Sequence, residues 1–213
     1  MTFNKSNLLE IEGEVKKYKN SQLLIVSKNQ TQETIIELLD RGYFSFGENR
    51  VQEASNKFNE NIKSNYQDIN LHLIGPLQSN KTSLALKTFD TIQTLDRKKI
   101  IKAIYNEINK LGKVRTKEFY IQVNIGKEDQ KSGVMPENIF DIYNYSKNLN
   151  LNIVGLMCIP PNDENPKFYF EEMKKIKNKI DINLKLSMGM SQDYLEALQC
   201  GSNLIRVGSK IFT

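Results

Sequence analysis

Short runs of β-branched, leucine and aromatic residues recur along the chain at 23–26, 43–46, 71–74, 91–95, 119–125, 153–159, 184–186 and 204–207. Each run is followed by a polar turn and then by a longer stretch with helical spacing. Runs that are apolar throughout suit strands buried on both faces of a sheet. Between them, Ile100, Ile101, Ile104, Ile108 and Leu111 share one face, as do Phe170, Met173, Ile176 and Ile180, the stripe of a helix packed on one side. Ser79, Pro136 at a first helical position, and Ser191 with Asp193 ahead of the last helix act as start signals. Strands alternating with helices imply parallel strands joined by right-handed crossovers. Eight such repeats predict an α/β fold, a single (β/α)8 TIM barrel occupying 1–213 as one domain, with an extra N-terminal helix over about 4–19. No Gly/Ser tract, repeat or linker interrupts the pattern. A doubly wound open sheet of the dinucleotide-binding kind would need GxGxxG after its first strand, and that motif is absent.

Composition narrows the function. The 213 residues carry 30 Lys+Arg against 25 Asp+Glu, a formal charge of +5, and the lysines are dispersed among acidic residues, so no nucleic-acid partner is expected. No window approaches the roughly 20 apolar residues of a membrane helix, and residues 1–19 lack the apolar stretch of a secretory signal. Cys158 and Cys200 form neither a disulfide framework nor a metal knuckle, so a cytoplasmic location is expected. With one histidine and no CxxC, no metal is expected.

In such a barrel the chemistry sits at the carboxyl ends of the strands. Ser187 to Ser191 runs from the seventh strand toward a helix, and Gly208-Ser209 follows the eighth. Glycines that let the backbone approach, exposed N–H groups and a helix dipole suit a phosphate; the alternative is that these are ordinary flexible turns. Lys28 ends the first strand. Partial desolvation there would depress its pKa and favour Schiff-base formation, whereas a rim lysine in water is the plainer reading. An amine and a phosphate cradle on one rim describe an aldehyde-bearing phosphate, and pyridoxal 5′-phosphate fits. Arg206 could then face the pyridine nitrogen and keep it unprotonated, or else form a structural ion pair.

The words VSK (26–28), FGENRVQEASNKF (46–58), HLIGPLQSNKT (72–82), QVNIGKEDQKSGV (122–134), GLMCIP (155–160), LSMGMSQDYLEAL (186–198) and IRVGSKIF (205–212) closely resemble the pyridoxal phosphate homeostasis protein family. The resemblance implies a barrel like the N-terminal domain of alanine racemase. It matches Lys28 to the lysine forming the Schiff base, and Ser187, Gly189, Gly208 and Ser209 to the phosphate cradle. Arg206 matches the arginine near the pyridine nitrogen, and Asn49 and Met157 match positions lining the ring, although Met157 could equally be a core methionine. His72 reads as a barrel histidine rather than a base.

Family members bind and distribute the cofactor without an established reaction, so the expectation is a monomeric, non-enzymatic carrier in vitamin B6 homeostasis that releases pyridoxal 5′-phosphate to acceptor enzymes. The alternative is an amino-acid racemase on the same lysine. Racemases of this barrel type add a second domain that supplies the opposing base, for which 213 residues leave no room.

Overall fold

The computed structural model describes residues 3–162 and 165–212. Parallel strands β1 (Gln22–Val26), β2 (Ser45–Glu48), β3 (Asn70–Leu73), β4 (Thr91–Leu95), β5 (Glu118–Val123), β6 (Ile153–Cys158), β7 (Lys185–Ser187) and β8 (Leu204–Val207) close into a barrel in chain order, with β8 pairing back onto β1. Helices α1 (Lys5–Lys16), α2 (Gln32–Leu39), α3 (Val51–Lys57), α4 (Glu60–Asn65), α5 (Thr82–Thr88), α6 (Lys98–Leu111), α7 (Ile139–Asn148), α8 (Pro166–Ile180), α9 (Tyr194–Gln199) and α10 (Ser209–Phe212) accompany it. The chain is a (β/α)8 barrel with an added N-terminal helix. No helix among the described residues is long and apolar enough to cross a membrane.

Every apolar run of the sequence falls on a strand, with shifts at the edges. Tyr43 and Phe44 precede β2, in a turn where Gly42 takes φ 87°. Gly47 and Glu48, which follow the apolar run 43–46, pair with His72 and Leu73 inside the sheet. β5 stops at Val123. Asn124 then folds the next turn, its Nδ2 donating to Glu128 O at 2.8 Å and its Oδ1 accepting from Glu128 N at 3.1 Å.

The start signals differ more. Ser79 begins a 3₁₀ turn and α5 follows only at Thr82, whose hydroxyl donates to Ser79 O at 2.9 Å. Pro136 likewise opens a 3₁₀ turn ahead of α7. Ser191 and Asp193 lie in a turn before α9, and the last helix is α10.

Two cores result, because strand side chains alternate between the two faces of the sheet. Outward-facing Ile25, Phe46, Leu71, Ile92, Phe119, Leu186 and Ile205 join the buried stripes of the helices, including Ile100, Ile101 and Ile104 of α6 and Phe170 and Met173 of α8. Leu24, Val26, Tyr120, Met157 and Leu204 are buried apart from that cluster, inside the barrel, where His72, Gln93, Ser187 and Arg206 accompany them. α1 is capped by Asn4, which accepts from Asn7 N at 3.0 Å. It buries Leu8, Ile11 and Val15 and docks on α10, where Asn4 N donates to Ile211 O at 2.7 Å and Asn7 Nδ2 to Lys210 O at 2.8 Å.

Candidate functional site

A cavity of about 710 Å³ opens at the carboxyl ends of the strands. Its lining comes from the ends of β1 (Val26, Lys28), β2 (Asn49), β3 (Ile74, Gly75, Pro76), β6 (Ile159, Pro161, Asn162), β7 (Met190 to Asp193) and β8 (Arg206, Gly208, Ser209). Of the residues singled out in the sequence, Lys28, Asn49, Arg206, Gly208 and Ser209 meet here. Met157, Ser187 and Gly189 do not line the cavity.

Lys28 is exposed, so the protein by itself does not supply the desolvation expected of it. Its loop is nevertheless held firmly. Ser27 and Glu48 point outward toward α3, and Ser27 Oγ donates to Glu48 Oε1 at 2.7 Å. Lys57 Nζ donates to Glu48 Oε1 at 2.8 Å, to Ser27 O at 2.8 Å and to Glu53 Oε1 at 3.0 Å. Glu53 in turn accepts from Asn29 N at 2.9 Å, which fixes the left-handed Asn29 (φ 62°). The residues on either side of Lys28 are therefore clamped while its own side chain is left at the mouth.

Glu48 and Lys57 are both buried. Burial pushes the Glu48 carboxyl above the usual carboxylate range, against the pull of Lys57 and Ser27. Glu53 and Lys57 stand at i, i+4 spacing, a pairing visible in the sequence, but nothing in the sequence links them to Ser27.

Arg206 is 3% exposed. Its Nη1 donates to Ser187 Oγ at 2.9 Å and its Nη2 to Cys158 O at 2.7 Å, so both terminal nitrogens meet neutral oxygens. The structural ion pair considered for it is not formed among the described residues. Ser187 is fully buried, its hydroxyl engaged with Arg206 and Gln93 below the rim. Met157 pairs across the sheet with Gln122 and Ser187 and shares their inward side, beneath the cavity. Burial pushes the Cys158 thiol up to about 12, leaving it protonated and inert at neutral pH.

The glycines divide by what crowds them. A Cβ on Gly208 would stand 2.9 Å from Val26 O, so this residue allows β8 to run tight against β1 at the cavity edge. Gly189 has φ 93°, and its Cβ would stand 2.5 Å from Ala197 Cβ; it serves the packing of α9. Gly75, absent from the sequence-derived site, would place a Cβ 2.1 Å from Asn49 O, so its bareness lets the β3 loop seat the Asn49 backbone.

At the start of α9, Asp193 makes no side-chain bond to the helix amides and instead accepts from Met190 N at 2.6 Å, which places a carboxylate on the cavity wall at that end. Gly208 and Ser209 open α10, and Ser191 Oγ accepts from Lys210 N at 3.3 Å beside them.

An amine, a buried guanidinium, small-residue turns and apolar walls from Val26, Ile74, Ile159 and Pro161 fit a phosphorylated aromatic aldehyde in size and donor set. No group of His, Cys, Asp and Glu among the described residues is arranged to hold a metal ion.

No protein-family model matches the chain. Among curated proteins, the pyridoxal phosphate homeostasis protein of Pasteurella multocida is 40% identical over 202 residues, covering 90% of this chain and 85% of that one. Among solved structures, PipY of Synechococcus elongatus with PLP bound superposes with a TM-score of 0.85 at 29% identity, covering 98% of this chain and 99% of PipY. An alanine racemase of Clostridium difficile shares the barrel alone, with a TM-score of 0.72 at 14% identity over 98% of this chain and 56% of the racemase. With a barrel, a rim cavity and near-full-length likeness of this degree, the chain belongs to the pyridoxal phosphate homeostasis protein family.

Proposed function

We propose that this chain binds pyridoxal 5′-phosphate in the rim cavity and holds it reversibly on Lys28, as a carrier in vitamin B6 homeostasis. The observation that carries this reading is the convergence of Lys28, Arg206, Gly208 and Ser209, from the first and last strands, on one cavity. When bound, the cofactor supplies an aldehyde that a primary amine captures with loss of water. Lys28 is the amine that the cavity offers. Gly208 and Ser209, at the first turn of α10 where helical amides lack intrahelical acceptors, take the phosphate; Ser187 and Gly189 support that side from below. Asn49 and the apolar walls bracket the ring, with Met157 filling the barrel under them, and Arg206 faces the ring nitrogen. Arginine stays protonated, so it can only donate there.

The carrier reading includes no turnover. Among the described residues the cavity lining includes no tyrosine, histidine or cysteine; its carboxylates are Asp193, which accepts from Met190 N at 2.6 Å, and Glu196, and the carrier reading gives neither of them a proton-transfer role. The protein is read as a monomer that hands its cargo to acceptor enzymes in a reducing cytoplasm, where its two free, buried cysteines remain thiols.

The test is an absorbance spectrum of protein mixed with pyridoxal 5′-phosphate, followed by borohydride and mass analysis. About one cofactor equivalent fixed on Lys28, and none in Lys28→Ala, is the expected result; fixation at another lysine would overturn the assignment. Incubation of the loaded protein with L-amino acids in deuterated water should yield no D-amino acid at rates near the on-the-order-of 1 s⁻¹ of ordinary enzymes. Lys28-dependent racemisation at such a rate would make it an enzyme.

A further inference from the structure

Beneath the cavity a chain of hydrogen bonds crosses the barrel interior from β8 to β3. Arg206 Nη1 donates to Ser187 Oγ at 2.9 Å, Ser187 Oγ donates to Gln93 Oε1 at 2.6 Å, and Gln93 Nε2 stands 2.8 Å from His72 Nδ1. All four side chains are buried.

Donor and acceptor capacity leaves the chain one polarity. Arginine cannot accept, so Ser187 Oγ accepts from it and must spend its single proton on the next partner. That partner has to be the amide oxygen of Gln93, which turns the Gln93 NH2 toward His72. His72 Nδ1 must then accept, and the ring proton sits on Nε2. His72 Nε2 is buried and meets no partner among the described residues, so this polarity leaves one unmet group, the Nε2–H. Reversing the Gln93 amide would set its NH2 against Ser187 and leave two, the Ser187 hydroxyl proton and the Nε2 lone pair, and folded proteins keep such groups few. Burial holds His72 down at about 3, so the ring remains an acceptor throughout the neutral range.

We propose that Ser187 and Gln93 are positioning residues that lock the Arg206 guanidinium at the cavity floor, with His72 as the terminal acceptor of the chain. The consequence for the cofactor rests on the proposed function, but the chain itself belongs to the ligand-free protein. A guanidinium held by neutral groups through both ends keeps its full charge and a fixed plane. An arginine free to swing could not present one N–H at one place.

His72 is the single histidine, so a long-range proton–nitrogen spectrum of the ligand-free protein contains one imidazole pattern. At pH 7 it should show the Nε2–H tautomer with Nδ1 unprotonated and hydrogen-bonded, and Gln93→Leu should shift the Nδ1 resonance. An Nδ1–H tautomer, or an Nδ1 resonance indifferent to Gln93→Leu, would overturn the proposal.

In parallel, Ser187→Ala should weaken pyridoxal 5′-phosphate retention about tenfold or more, the scale of one hydrogen bond to a charged group, and alter the visible band of the loaded protein. Ser187→Thr, which keeps the hydroxyl, should restore both. Unchanged affinity and spectrum in Ser187→Ala would refute the positioning role. Should the wild-type protein take up no cofactor, the functional reading fails and the imidazole pattern still decides whether the chain exists.

Discussion

Acidifying the ligand-free protein below pH 6.5 is expected to erode its stability with a slope of up to about 1.4 kcal/mol per pH unit from His72 alone. The cause is the burial of the imidazole, helped by the positive charge of Lys185, which lowers its pKa from 6.5 to about 3. Between those values the unfolded chain binds a proton that the folded chain refuses. Protons therefore pull the equilibrium toward unfolding. The contribution is fully present above about 6.5, is lost as pH falls toward about 3, and totals on the order of 4–5 kcal/mol over that window. Titrating carboxylates add their own slopes, so the measurement is a difference: urea unfolding of wild type and His72→Gln at pH 7, 5 and 4. Glutamine keeps an oxygen for the Gln93 NH2 to meet and has no proton to gain. The variant should lose distinctly less stability on acidification. Parallel profiles would mean that His72 is protonated in the fold or reached by water.

Lys57→Met should cost about 3–5 kcal/mol at pH 8. The methionine fills much of the lysine's volume, but it leaves the Glu48 carboxylate buried with only Ser27 donating to it. A carboxyl whose folded pKa is raised contributes stability at low pH and loses it as pH rises through that pKa. The variant's deficit should therefore shrink toward pH 5, as Glu48 takes up a proton. Pairing the change with Glu48→Leu should recover most of the stability, since an apolar pair of similar volume can replace a buried ion pair. Capture of pyridoxal 5′-phosphate should not recover with it, because the bond from Lys57 to Ser27 O remains lost and the Lys28 loop with it. Denaturant midpoints and cofactor retention of the single and double variants separate the two roles; full retention in the double variant would reduce the clamp to a stability device.

How far the sequence discloses this site depends on the range of the interaction. Strands buried on both faces announce themselves as apolar runs, so the barrel and its rim are legible. Lys28, Asn49, Arg206, Gly208 and Ser209, found from strand ends and family words, do share the cavity. Ser187 also ends a strand, yet its hydroxyl turns inward; whether a strand-end residue faces the mouth or the interior depends on barrel stagger, which no local pattern encodes. Gln93 was available as a signal, since a glutamine inside Thr-Ile-Gln-Thr-Leu, a strand buried throughout, must find a partner. Which partner it finds, His72 on one side and Ser187 on the other, is settled only when distant strands meet. Lys57 was hidden for the same reason, as one lysine among many until burial distinguishes it.

The seam between β1 and β8 has a consequence for the order of events in folding. Lys28 and Arg206 flank that seam, and the residues that pair across it are separated by nearly the whole chain, so its closure carries a loop-entropy cost that local helix and strand contacts do not. The cofactor cavity cannot exist in any intermediate whose ring is still open. A ligand that binds only the closed ring stabilises it by mass action and leaves open forms untouched.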